Sequence, residues 1–186
     1  MNQGYGIYVE LLRQSIRLDD PVMAAQEAER IINENNIDWD ELYDYADTHS
    51  VKPQLAHLTE RVSNDIIPDM FRRKIGSALQ KNLYDQLGTF ADFIKIKQLF
   101  HERGIALIPF KGFWLAYNYY GSLADREATD IDLYMHFSDF DQAGELMHSL
   151  GYTAETNMPY FGRGELERKS CEYTFNKYED GRIISI

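Results

Sequence analysis

The sequence predicts an α+β chain: a helical lobe over residues 1–103, then a layer of strands and helices over residues 104–186. Three observations carry that expectation. Apolar residues recur at three-to-four spacing through the first hundred residues, the signature of amphipathic helices. Directly after Gly104 the period changes, and "IALIPF" is a short β-branched and aromatic run of the kind that makes a buried strand. Further on, "DIDLYMHF" alternates strictly, as a half-buried strand does.

In "DPVMAAQEAERIIN", Asp20 stands where an N-cap accepts the free N–H groups of a first turn, and Pro21 takes the first helical position, where its missing N–H costs nothing. A second acidic start opens "DWDELYDYADTHSV", with Trp39, Leu42, Tyr43 and Ala46 on one face. Pro53 and Pro68 punctuate the next two segments, and a long helical pattern runs from Met70 to Arg103, with Gly104 as its stop. "FWLAYNYY" resumes a helical pattern until Gly121. In the alternating run, Ile131, Leu133, Met135 and Phe137 face one way and Asp130, Asp132, Tyr134 and His136 the other. "SDFDQAGELMHSLGY" reads as a helix with a capping-box-like Ser138 and Asp141 and a stop at Gly151. "SCEYTF" and "RIISI", joined by "NKYEDG", read as a hairpin. The chain stops inside that last strand, so we expect it to be part of a longer protein, truncated at its C-terminus.

Composition excludes several classes. With 44% apolar and 13% aromatic residues the chain can build a core and lacks the low hydrophobicity of disorder. The lone Cys171 rules out a disulfide framework, and a small core residue is its simplest role. No apolar run approaches the roughly 18 residues of a membrane span, and "MNQGYGIYVELLRQ" has no secretory pattern. We therefore expect a cytoplasmic protein without a membrane partner. A formal net charge of -11 repels phosphate backbones, which disfavours non-specific nucleic-acid binding. The basic cluster Arg72, Arg73, Lys74 reads as a solvated helix face.

The chemistry concentrates in "IALIPFKGFWLAYNYYGSLADREATDIDLYMHF". Aspartate is depleted from strands, yet Asp130 and Asp132 sit two apart in one, on the same face and about 7 Å apart along it. Their mutual repulsion is relieved by a divalent cation, and Mg²⁺ suits one or two carboxylates completed by water and phosphate oxygens. On this pair alone, a capped strand start and a solvated edge remain open. An EF-hand is excluded, because Met135 occupies the position of its glycine. A P-loop is excluded too, because Lys111-Gly112-Phe113 has the wrong order. Before the pair, a strand ending in Lys111-Gly112 and opening into a helix directs free N–H groups and the positive helix end at one spot. Gly112 lets the backbone approach an anion, and Lys111 adds charge. Carboxylates beside an anion cradle describe a site for a metal-bound nucleoside triphosphate.

These residues resemble the signature of the uncharacterised nucleotidyltransferase family within the polymerase-beta superfamily: a Lys-Gly at a strand end, a following Leu and Tyr, an Arg, then Asp-x-Asp-Leu. Here those positions are Lys111, Gly112, Leu115, Tyr120, Arg126, Asp130, Asp132 and Leu133. The stretch "IDWDELYDYADTHSVKPQL" is similar to that family's tryptophan-containing helix, and the resemblance spans roughly residues 37 to 186. It implies a mixed sheet with packed helices. It implies transfer of a nucleoside monophosphate from an NTP to a small-molecule or protein acceptor, with Asp130 and Asp132 holding two Mg²⁺ ions. Lys111, Gly112 and Phe113 would hold phosphates, and Arg126 would either stabilise negative charge or pin its loop. In two respects the chain departs from the superfamily. Phe113 stands where a small residue usually follows the glycine, and the third carboxylate is expected just after Ile186. Glu172 is the remaining strand-borne carboxylate nearby, with a solvent-facing role the simpler reading, and His136 reads as a polar neighbour of the site. Two other readings stay open: a non-catalytic Mg-nucleotide-binding or interaction module of the same fold, and an Asp-x-Asp glycosyltransferase, which would need a nucleotide-binding sheet before the motif.

Overall fold

A computed structural model describes residues 3–17, 19–154, 173–179 and 182–186. Its chain forms two compact units, Met1–Gln86 with Tyr119–Glu127, and Leu87–Asn118 with Ala128–Ile186. Most of the described chain is helical, with two small antiparallel sheets, so the class is α+β.

The first unit contains α1 (Gln3–Ser15), α2 (Pro21–Glu34), α3 (Trp39–Thr48), α4 (Lys52–Arg61) and the first half of α5 (Asp69–Glu102). Its caps follow the sequence. Asp20 accepts from the Met23 N–H at 2.9 Å, and Asp38 accepts from Asp40 and Glu41, both at 3.1 Å. Each cap is worth about 1 kcal/mol. Apolar faces converge on one core that includes Leu11, Ala28, Leu42, Leu55, Phe71 and Ile75, with Trp39 against the Phe71 ring at 4.9 Å. The basic cluster is not wholly a solvated face. Arg72 turns inward and donates to the carbonyls of Thr59, Val62 and Ser63, at and just beyond the end of α4. Lys74 pairs with Asp40 at 2.7 Å, and Arg73 is exposed.

The same unit includes the segment before the aspartates. Ser122 caps a 3-10 turn, Leu123–Asp125, by accepting from the Ala124 N–H at 3.1 Å. Asn82 of α5 donates to the carbonyls of Ala124 at 2.7 Å and Arg126 at 3.2 Å. Gln54 of α4 donates to the Asp125 carbonyl at 2.6 Å. One turn on, His57 Nε2 lies 2.7 Å from Asp125 Oδ1, and Lys52 Nζ lies 3.4 Å from Glu127 Oε1. Four polar side chains thus hold a short irregular segment by its backbone and its acids.

The second unit begins in α5, where Phe93, Ile96 and Phe100 are buried. Gly104, at φ +73°, ends that helix. Strand β1 (Ile108–Pro109) leads into the short helix α6 (Gly112–Leu115) and pairs antiparallel with β2 (Leu133–Tyr134). Helix α7 (Phe140–Ser149) comes next, and then a meander in the order β3 (Thr153–Ala154), β4 (Phe175–Glu179), β5 (Arg182–Ser185). Among the described residues a single parallel bridge, Asp130 to Ser185, links the two sheets through the Ile131 N–H and the Ser185 carbonyl at 2.9 Å.

Three local expectations are corrected. The hairpin strand spans Phe175–Glu179, so "NKYE" is strand rather than connection, with Glu179 opposite Arg182; Tyr173 and Thr174 precede that strand, and residues 170–172 lie outside the described residues. Helix α7 starts at Phe140 without a capping box, because Ser138 lies in a 3-10 turn with its Oγ 2.8 Å from His136 Nδ1 and 3.0 Å from Asp139 Oδ1. "FWLAYNYY" is α-helical only within α6 and then widens to a π-helix, Ala116–Tyr120. Over five residues the two helical periods give the same apolar pattern, so side-chain spacing does not separate them.

Candidate functional site

Strand β1 ends at Phe110, whose N–H donates to the Asp132 carbonyl at 3.0 Å. This continues the β1–β2 ladder by one pair and sets Phe110 opposite Asp132. Alternation then places Asp130, Asp132 and Tyr134 on one face, while Ile131, 1% exposed, points into the core from the other. Asp132 is largely buried and Asp130 is exposed.

The chain turns sharply at Lys111 and Gly112. Lys111 has φ +56° and ψ -152°, close to a region that only glycine visits freely. Gly112 follows at φ +40°, and a Cβ built on it would stand 3.1 Å from the Asp130 carbonyl oxygen and 3.7 Å from the Ala128 Cβ. Glycine is required here twice over, for the dihedral and for the approach. The close approach sets the start of α6 directly against the backbone of the aspartate strand. In that first turn the N–H groups of Gly112, Phe113 and Trp114 have no intrahelical acceptor.

Lys111 Nζ sits 3.6 Å from Asp132 Oδ1 and 4.9 Å from the centre of the Phe110 ring. On the other flank, β5 brings Ser185 alongside Asp130. Paired residues of parallel neighbours project to the same side, so the Ser185 hydroxyl joins the aspartate face, donating to Asn176 Oδ1 at 2.6 Å. A cleft of about 580 Å³ opens here, lined by Lys111, Asp130, Asp132, Tyr134, Phe140 and Ser185 among others.

Five of the six residues expected at a site therefore fall in one unit: Lys111, Gly112, Phe113, Asp130 and Asp132. The Phe113 side chain is core, 1% exposed and packed 4.9 Å from Phe93 and 5.7 Å from Phe90, so only its backbone N–H is available to an anion. Arg126 belongs to the other unit, where Asn82 holds its carbonyl and its Nη1 is buried without a hydrogen-bond partner among the described residues. His136 Nδ1 accepts from the Ser138 N–H at 3.2 Å and caps a turn. Cys171 and Glu172 lie outside the described residues. Among the described residues no group of three His, Cys, Asp or Glu side chains is placed to hold a metal ion. The aspartate pair itself offers hard oxygen donors on one face, a donor set that fits Mg²⁺ completed by water and phosphate oxygens.

Sequence reasoning missed two features. One is the stacking of Phe110 on Tyr134, with centroids 4.0 Å apart and planes 19° apart. Its signal was present in the alternation that puts Tyr134 on the aspartate face. The other is the polar clamp on residues 124–127, whose Asn82, Gln54 and His57 are spread over two helices.

A family model described as uncharacterised nucleotidyltransferase matches residues 35–184, most of the chain. No curated protein and no solved structure matches. A match across both the helical region and the aspartate strand makes the chain a member of the uncharacterised nucleotidyltransferase family.

Proposed function

We propose that this chain carries the nucleotide site of a Mg-dependent nucleotidyltransferase that moves a nucleoside monophosphate from an NTP to a small-molecule or protein acceptor. The observation that carries the reading is the close packing of Gly112 on the Asp130 carbonyl oxygen, which lies only 3.1 Å from where a Cβ on Gly112 would stand and so sets the Lys-Gly turn beside the aspartates. In this reading residues 104–186 form a polymerase-beta-like core and residues 1–103 a helical lobe. Asp130 and Asp132 hold Mg²⁺, which supplies charge neutralisation on the triphosphate and activation of the attacking oxygen. Free N–H groups at the start of α6 hold phosphate oxygens, and Lys111 exchanges its contact with Asp132 for one with a phosphate. Positioning and electrostatics account for nearly all of the rate in such transfers.

The helices that precede the aspartates favour this reading over the glycosyltransferase one, which needs a nucleotide-binding sheet there. The test is calorimetric titration of each NTP into the chain, with and without Mg²⁺, beside the double variant Asp130→Asn/Asp132→Asn. We expect Mg-dependent binding that the variant abolishes; binding that persists undiminished in the variant would refute the assignment of these carboxylates. If the parent chain binds Mg-NTP but no acceptor is ever modified, the non-catalytic module of the same fold is the better description.

A further inference from the structure

The geometry points to Tyr134, backed by Phe110, as the stacking platform for the nucleobase of the bound nucleotide. This inference rests on the nucleotide reading above and adds to it where the base lies and how the site treats different bases.

Strand register brings the two rings together. Ile108 pairs with Tyr134 and Pro109 with Leu133, and the bond from the Phe110 N–H to the Asp132 carbonyl extends the ladder. Phe110 and Tyr134 are therefore diagonal neighbours on the aspartate face, within reach of one another for aromatic side chains. Their rings lie nearly parallel with centroids 4.0 Å apart. Phe110 is half-buried, while Tyr134 is 59% exposed in the wall of the cleft that holds Asp130 and Asp132. Phe110 thus fixes the orientation of a ring whose own area faces solvent.

An exposed, oriented aromatic ring is a surface for another flat ring. Tyr134 stands two residues beyond Asp132 on the same face, a separation of about 7 Å, the span of one ribose between an α-phosphate at the carboxylates and a base. The Lys111 ammonium, 4.9 Å from the Phe110 ring and 3.6 Å from Asp132, marks the phosphate end of the same row. Stacking is tolerant of base identity because every base presents a π-face. The site then favours purines over pyrimidines by overlap area, without reading base edges through Tyr134.

The test compares two probes on the same protein: Mg-ATP and Mg-tripolyphosphate, which has the phosphates without the nucleoside. Alanine substitution of a stacking ring weakens nucleotide binding by roughly tenfold or more. We expect Tyr134→Ala to weaken Mg-ATP binding by about that factor and to leave Mg-tripolyphosphate unchanged, with Tyr134→Phe close to the parent for both. The exposure of Tyr134 makes these variants foldable, and far-ultraviolet circular dichroism checks it. If Tyr134→Ala leaves both affinities unchanged, or weakens both equally, the platform is refuted while the phosphate and metal site stands. If the parent chain binds neither probe, the nucleotide reading fails and takes the platform with it.

Discussion

At the scale of the residue, the decisive position is Lys111. A lysine at φ +56° with ψ -152° carries backbone strain of about 1–3 kcal/mol that a glycine would not. The sequence makes the Lys-Gly pair legible as a strand-to-helix turn, with Gly112 for close approach and Lys111 for charge, but does not reveal the backbone conformation of Lys111. The structure has both residues at positive φ, so a charged side chain is retained where glycine is the conformationally easier choice. Comparing Lys111→Gly with Lys111→Ala separates the two roles, since both remove the charge. The glycine variant should be more stable than the alanine variant by about 1 kcal/mol or more in urea denaturation. Both should bind Mg-NTP more weakly than the parent. Equal stability of the two variants would show that the turn relaxes without cost.

At the scale of the element, the segment from Tyr119 to Glu127 shows why part of the fold was not legible. Its expected role was read from Arg126, yet its position is set by Asn82, Gln54, His57 and Lys52, polar residues within helices whose apolar periodicity is the stronger signal. A helical pattern reveals which face is apolar, not which polar residue on that face has found a carbonyl. Asn82 is 9% exposed and serves two carbonyls. Asn82→Ala leaves both short of a donor and should destabilise the chain by about 2–3 kcal/mol in urea. A loss under about 0.5 kcal/mol would mean that water replaces the amide there. The hairpin was misplaced for a different reason. "NKYE" is polar and reads as a connection, but Asp180-Gly181 is a favoured hairpin dipeptide, and weighting it over hydrophobicity gives β4 its observed span. The Asp20 cap and the long helix α5 were legible because each rests on local chemistry, whereas the strand expected over "DIDLYMHF" is confined to Leu133–Tyr134, with Phe137 already in a 3-10 turn.

At the scale of the whole molecule, a net charge of -11 sits on carboxylates held in opposing ways. Glu29 Oε1 accepts from both the N–H and the hydroxyl of Ser63 at 2.8 Å, and these bonds hold its carboxyl below the ordinary glutamate value. Its contribution to stability is full above that ordinary value, about 4.3, and is lost as pH falls through the lowered native one. Glu127 is shifted the other way. Burial pushes its carboxyl up, with Lys52 beside it offsetting part of the effect. Its contribution is full below the ordinary glutamate value and is lost as pH rises through the raised native one. Glu29→Gln should therefore flatten the acid side of the stability profile and Glu127→Gln the side just above it, both read from urea midpoints against pH. Unchanged profiles would place the titration of stability elsewhere among the acids.

The parallel bridge between Asp130 and Ser185 gives this molecule an unusually economical reporter. The hydrogen on the Ile131 nitrogen is the donor of that bridge, and it sits between the two aspartates in sequence. Its exchange with deuterated water follows whether β5 lies against the aspartate strand, and so whether the strand beside the carboxylates stays in register, without any substrate being known.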